Sequence, residues 1–185
     1  MPKRRKKSFY EKTLSEETIF EGRVFKMVRQ VVRLPNNRTS TRDLILHPGA
    51  VAMIPIDAKG NVLLVRQFRK AAGMEMLEIP AGTLDPGEPL KACVQRELQE
   101  EIGFKARSIR RLVSYFPAAG YTTEVIHIYV VKDLVPSRMK ADHDEFLEVI
   151  PTSPEKILKA IRSGKIRDSK TIIGMLTYRF LRKAP

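Results

Sequence analysis

"RELQEEIGF", Arg96–Phe104, sets Glu97, Glu100 and Glu101 at intervals of three and four in what reads as the end of a helix. Like charges at those spacings repel by about 0.2–0.5 kcal/mol per pair. The negative end of the helix dipole adds roughly 0.3–1 kcal/mol per anion in the same direction. Something must offset that cost, or the crowding serves a purpose.

Working outward, "LKACVQRELQEEI" places Leu90, Cys93, Val94, Leu98 and Ile102 at helical spacing, which predicts one buried stripe with the three glutamates off it. Pro89 suits a first helical position, Glu88 stands near the positive end, and Gly103 can take the left-handed conformation that stops the helix. The preceding "AGTLDPGEP" reads as a loop.

Alternating, β-branched segments predict strands at "RVFKMVRQVVRL", "TRDLILH", "PGAVAMIPID", "NVLLVRQF", "EMLEIP", "SIRRLVSYF", "EVIHIYVV" and "FLEVI". "AKG" between the third and fourth of these is a hairpin signal. "SPEKILKAIRSG" predicts a helix capped by Ser153 and ended by Gly164. A last helix in "DSKTIIGMLTYRFL" has Asp168 as its cap and Ile172, Ile173, Leu176 and Phe180 expected to face inward. Many strands with a few interspersed helices give an α/β (α+β) fold, a mixed sheet covered by helices on both faces.

The 185 residues suit one domain, or a domain plus an appendage. A composition 43% hydrophobic and 30% charged supports a real core and excludes disorder by composition. The single cysteine, Cys93, excludes an internal disulfide framework and fits a reducing compartment. No apolar run is long enough to span a bilayer and the N-terminus lacks a signal-peptide apolar region, so a cytoplasmic location is expected. The net charge of +13 is concentrated partly in "MPKRRKK", a solvated tail or a polyanion-binding arm. The remaining basic excess also suits electrostatic steering of a small anionic substrate.

Three glutamates on one side make an oxygen-only cluster of the kind hard divalent cations take up, usually together with substrate phosphate. A dication would turn the local repulsion into attraction. Arg96 keeps its charge and can hold a carboxylate in register.

The pattern Gly82, five residues, Glu88, seven residues, then "RELQEEIGF" resembles the Nudix box in full, with Gly82, Glu88, Arg96, Glu97, Leu98, Glu100, Glu101, Gly103 and Phe104 at the family's positions. The resemblance implies a Nudix-type α/β/α sandwich and a hydrolase of nucleoside diphosphates linked to another moiety. It also implies Mg²⁺ or Mn²⁺ as cofactor, two or more ions per site. By the same resemblance Glu97 and Glu101 are the principal metal ligands, Glu100 assists, and the backbone carbonyl of Ala81 is a further ligand. Arg96 and Glu88 orient the glutamates, and Gly82 lets the loop approach closely.

Beyond the box, "HPGAVAMIPID", "LLVRQFR", "LEIPAG", "DEFLEV" and "GKIRDSKT" are similar to the ADP-ribose pyrophosphatase branch, which forms AMP and ribose 5-phosphate. That branch implies a homodimer whose N-terminal strands reach the partner and help form the adenine pocket. Residues 1–46 are then a tail and dimerisation region, and 47–185 the hydrolase domain. Arg69, with Arg66, is expected to contact the diphosphate or ribose, since a guanidinium matches phosphate oxygens. Glu78, Gly120 and Glu124 are further substrate-side positions.

Two departures stand out. Ala119 precedes Gly120 where the family often has proline. In "DHDE", Asp142–Glu145, Glu145 keeps the metal-side position while His143 takes the place of the family's glutamate base. A histidine near neutral pKa can act as a base; Asp144 or a box glutamate is the alternative. His47 and His127 are read as structural.

Other substrates compatible with the box are another nucleotide sugar, a dinucleoside polyphosphate or the 5′-triphosphate end of RNA. A reading of another class is a non-catalytic nucleotide-sensing or nucleic-acid-binding module.

Overall fold

A computed structural model describes residues 8–139 and 146–181. Two compact units emerge, residues 1–48 with 118–124, and residues 49–117 with 125–185.

The first unit is an antiparallel three-stranded sheet, β1 (Lys12–Glu21), β2 (Lys26–Arg33) and β3 (Thr39–Leu46), in that order. β1, which the sequence pattern does not disclose, is exposed along its whole length and carries two register shifts. Its alternation is dominated by Thr, Ser and Glu, so no apolar period marks it. Arg29 sits directly across from Asp43 and donates to both carboxylate oxygens, at 2.7 and 3.1 Å. The 118–124 loop joins this unit through a Thr122 bridge to Ile45 and a His47 N–H bond to Thr123 Oγ1.

The second unit is an α/β/α sandwich. One sheet runs β7 (Ala81–Thr83), β4 (Ala50–Pro55), β9 (Ile126–Pro136), β8 (Phe104–Tyr115). The other runs β10 (Leu147–Thr152), β5 (Val62–Arg69), β6 (Met74–Glu78). β4 and β9 are parallel and the other pairs antiparallel, giving a mixed sheet. Every residue of β4 is buried, as a near-continuous apolar run between two neighbours requires.

Strand alternation sorts the core into two halves. Ala52, Ile54, Val62, Leu64 and Ile128 pack toward α2 (Pro154–Arg162) and α3 (Ser169–Leu181), meeting Ile157, Met175 and Tyr178. Val51, Met53, Leu63, Val65 and Val131 pack toward α1 (Leu90–Glu97), meeting Cys93, Val94 and Leu98. Truncating a fully buried leucine such as Leu98 to alanine costs about 2–5 kcal/mol in such a core. No helix among the described residues is long and apolar enough to cross a membrane.

Several expectations are corrected. "AKG" does form a tight turn, with Gly60 at φ 81° and Asp57 Oδ1 accepting from the N–H groups of Lys59 and Asn61. Yet β4 and β5 share only the Ile56–Val62 bridge before entering different sheets, because β7 and β9 already fill both edges of β4. Pro89 is the residue before the helix, with extended ψ of 138°, so α1 begins at Leu90. α3 turns Thr171, Gly174, Met175 and Tyr178 inward, with Ile172 and Ile173 partly buried against the same core as expected, whereas Leu176 and Phe180 are exposed. Gly174 lets that helix close on Ile54 and Ile128, so a small-residue face outcompetes the larger apolar one.

Candidate active site

After α1 the helix widens into a π-turn, Leu98–Ile102, and stops at Gly103, whose φ of 76° and N–H bond to the Leu98 carbonyl close the end. Widened turns of this kind recur at functional sites. The turn carries Glu100 and Glu101, with Glu97 just before it.

Although they stand off the apolar stripe, two of the three glutamates are withdrawn from water. Glu97 is 6% and Glu101 5% exposed. Glu101 accepts the Ala81 N–H at 3.1 Å, which ties the π-turn to β7. Gly82 leaves the Glu97 carboxylate its room: a Cβ there would stand 1.8 Å from the Glu97 carboxyl carbon, so the side chain would have to move. The carboxylate fills the space that any other side chain would need.

Arg96 offsets part of the crowding from within. Its guanidinium donates to Glu88 at 3.0 and 2.9 Å, to Glu97 at 2.6 Å, to Glu100 at 3.0 Å and to the Thr83 carbonyl at 3.1 Å. The hydrogen bonds from Arg96 hold the Glu88 carboxyl at a pKa of about 2, against some opposing desolvation. The same bonds, Glu88's first, keep Arg96 firmly protonated. Burial, with Glu88 close by, pushes the Cys93 thiol upward, so it stays unreactive beneath the loop.

A second charged cluster centres on Glu78, which is 1% exposed. Arg69 donates to its two oxygens at 2.9 and 2.7 Å, and Lys170 of α3 donates to one of them. Lys170 also reaches Asp168 at 2.9 Å. Asp168 caps α3 through the Thr171 N–H, as expected, and the Thr171 hydroxyl accepts the Ile79 N–H at 2.8 Å. Desolvation opposes ionisation of Glu78, but Arg69 and Lys170 outweigh it and hold the carboxyl below its usual range. Arg69 remains partly exposed, with 41% of its side chain open, and its charge is felt by Glu101.

The structure therefore brings Ala81, Arg96, Glu97, Glu100, Glu101, Glu78 and Arg69 into one unit around β6, β7 and the helix end. Arg66 points to the opposite face of β5 from Arg69 and pairs with Glu148. Gly120 and Glu124 belong to the other unit, where Glu124 lies 4.0 Å from His47. His127 is bonded to Ser114 at 2.7 Å, and burial, then the Arg111 charge, lowers its pKa. His143, Asp144 and Glu145 lie outside the described residues. Lys170 and Thr171 are absent from the sequence-based list: "RDSKT" shows a cap but nothing that reports contact with Glu78 and Ile79, some ninety positions away.

Among the described residues no three acidic, histidine or cysteine side chains converge into a ready-made cage. The donor set nonetheless fits a hard divalent cation: it is all oxygen, two carboxylates are withdrawn from water, and the glycine-lined cradle accepts one of them.

A family model described as NUDIX domain matches residues 46–171. The chain is 40% identical to a "Methanol dehydrogenase activator" of Bacillus methanolicus, over 91% of this chain and 92% of the relative. It is 36% identical to an "ADP-ribose pyrophosphatase" of Bacillus subtilis (strain 168), over 89% and 90%. Its fold superimposes on a crystal structure of an "ADP compounds hydrolase" with a TM-score of 0.83 at 23% identity, covering 94% of each chain.

Proposed function

The chain belongs to the NUDIX domain family, and on that premise we propose that it is a Mg²⁺-dependent hydrolase converting ADP-ribose to AMP and ribose 5-phosphate. The observation that carries the hydrolase reading is the carboxylate pair Glu97 and Glu101, buried at a widened helix end with Gly82 giving way to one of them. Burying two like charges is unfavourable unless a positive group compensates them. Arg96 sets one guanidinium among three carboxylates, Glu88, Glu97 and Glu100. The substrate rests on the relative named ADP-ribose pyrophosphatase, which matches nearly the whole chain.

In this reading Glu97 and Glu101, with Glu100, the Ala81 carbonyl and Glu145, hold the cation. Mg²⁺ or Mn²⁺, when bound, supplies Lewis-acid stabilisation of the charge developing on the diphosphate. Arg96 and Glu88 keep the ligands in register. Arg69 grips a phosphate oxygen, its other side held by Glu78. A water adds to one phosphorus as the bridging P–O bond breaks, and His143, or in its place Asp144 or a box glutamate, takes the water's proton.

The assembly in this reading is a homodimer. Residues 1–46 form its interface region and 47–185 the catalytic domain. Ile19, Phe20 and Phe25 are exposed on the first unit and offer apolar area for a second copy. Cys93, as a free thiol, suits a reducing cytoplasm.

The test is direct. Purified protein with Mg²⁺ and ADP-ribose should release AMP, followed by anion-exchange chromatography. Turnover of GDP-mannose, a dinucleoside polyphosphate or 5′-triphosphorylated RNA, with ADP-ribose untouched, would move the assignment within the family.

The relative named methanol dehydrogenase activator favours a second reading, in which the protein raises the activity of a partner dehydrogenase. Adding it to a purified methanol dehydrogenase and following alcohol oxidation distinguishes this outcome. A rate unchanged by the protein at equimolar ratio removes it.

A further inference from the structure

Glu78 is a carboxylate shared between two cations of different exposure. Lys170 is buried at 9%, at the first turn of α3, whereas Arg69 has 41% of its side chain open. Both donate to Glu78, and Lys170 also donates to Asp168. Two cations thus face two anions. Were Lys170 missing, the full charge of Glu78 would fall on Arg69 and cancel it. With Lys170 in place, part of the Arg69 charge remains effective outward, within electrostatic reach of Glu101. An exposed guanidinium at the edge of a carboxylate centre is what an incoming diphosphate meets.

We propose that Lys170 is a positioning residue that keeps Arg69 electrostatically available to a diphosphate by taking up the charge of Glu78, with Asp168 setting how much. This deepens the reading above and rests on it. The effect belongs to substrate capture. Lys170 is itself withdrawn from solvent and acts only through Glu78. The same network splints the backbone: Thr171, bonded to Asp168, accepts the N–H of Ile79, two residues before Ala81. A purely structural role and an electrostatic one therefore make different forecasts.

The experiment compares wild type, Lys170→Met, Asp168→Asn, the double variant and Lys170→Arg. Each is assayed with ADP-ribose and Mg²⁺ and by calorimetric binding of ADP-ribose without metal. Removing one unit charge from a partly buried network should raise KM, and weaken metal-free binding, about tenfold in Lys170→Met, with kcat changed far less. Asp168→Asn keeps a capping oxygen and adds net positive charge, so its KM should fall about twofold to threefold at low salt.

The double variant still lacks the cation that takes up the Glu78 charge, so its KM should stay near that of Lys170→Met, and Lys170→Arg should resemble wild type. A double variant restored to the wild-type KM, which would show that net charge alone matters, or losses confined to kcat, would overturn the inference. If Lys170→Met does not fold, Asp168→Asn decides: KM lowered at low salt supports it, and an unchanged KM refutes it. Wild type inert toward ADP-ribose would instead sink the substrate reading, while turnover with a flat variant series sinks only this one.

Discussion

Arg96 and Glu78 are each the hub of an ion-pair cluster in the same unit, and the two clusters differ in balance. Around Arg96, one cation serves Glu88, Glu97 and Glu100, with Glu101 buried nearby. Around Glu78, Arg69 and Lys170 are matched by Glu78 and Asp168. The first cluster stores negative charge in a low-dielectric setting, where an added cation is attracted strongly. The second is neutral as a whole and presents a guanidinium at its exposed edge. A diphosphate with its counter-cation needs both kinds of surface side by side.

The sharpest way to break that contrast is to erase the negative excess. Glu97→Gln combined with Glu101→Gln should lower ADP-ribose turnover by at least about 10³-fold, since charge stabilisation is usually the largest catalytic contribution. The same pair should abolish the rise in Tm that Mg²⁺ gives wild type through preferential binding to the folded state. Turnover retained within tenfold, measured as AMP release, would remove the metal role.

Gly82→Ala is subtler. Its methyl must displace the Glu97 carboxylate, which is the far end of a flexible side chain, so the fold can yield cheaply. We expect activity to fall about 10²-fold while the denaturant midpoint moves little. A large loss of stability with a normal metal response would show that the cradle matters for packing alone.

The smallest effect concerns acid stability. Glu88 has its pKa depressed from 4.5 to about 2 in the folded protein. A depressed carboxyl stabilises the fold above its unfolded pKa, and that contribution disappears as pH falls from about 4.5 toward 2. Glu88→Gln should therefore lower stability at neutral pH and flatten the acid limb between those values, read from urea midpoints across pH. An acid limb identical to wild type would place the proton-linked loss elsewhere.

The glutamate cluster and the stop at Gly103 were legible in the chain because they are local: spacing, a helical stripe and a left-handed glycine all act within a few residues. The stretch before them, read as a loop throughout, begins instead as strand β7, whose pairing with β4 is a long-range contact. β1 was not legible, because an exposed strand of threonine, serine and glutamate has no apolar period. α3 misled for a related reason. Its larger apolar residues suggested one face, while the packing chose Thr171, Gly174 and Met175, where a small surface admits Ile54 and Ile128.

The sequence by itself determined the oxygen-donor cluster, the stop of its helix and the alternating strands of a mixed sheet, since these depend on neighbours along the chain. Only the tertiary structure decided that Glu97 and Glu101 are buried, that Arg96 faces three carboxylates, and that Lys170 meets Glu78 across some ninety residues. Burial and long-range charge pairing depend on which surfaces close upon one another. That closure is set by the competition among all the packing faces at once, and no single stretch encodes it.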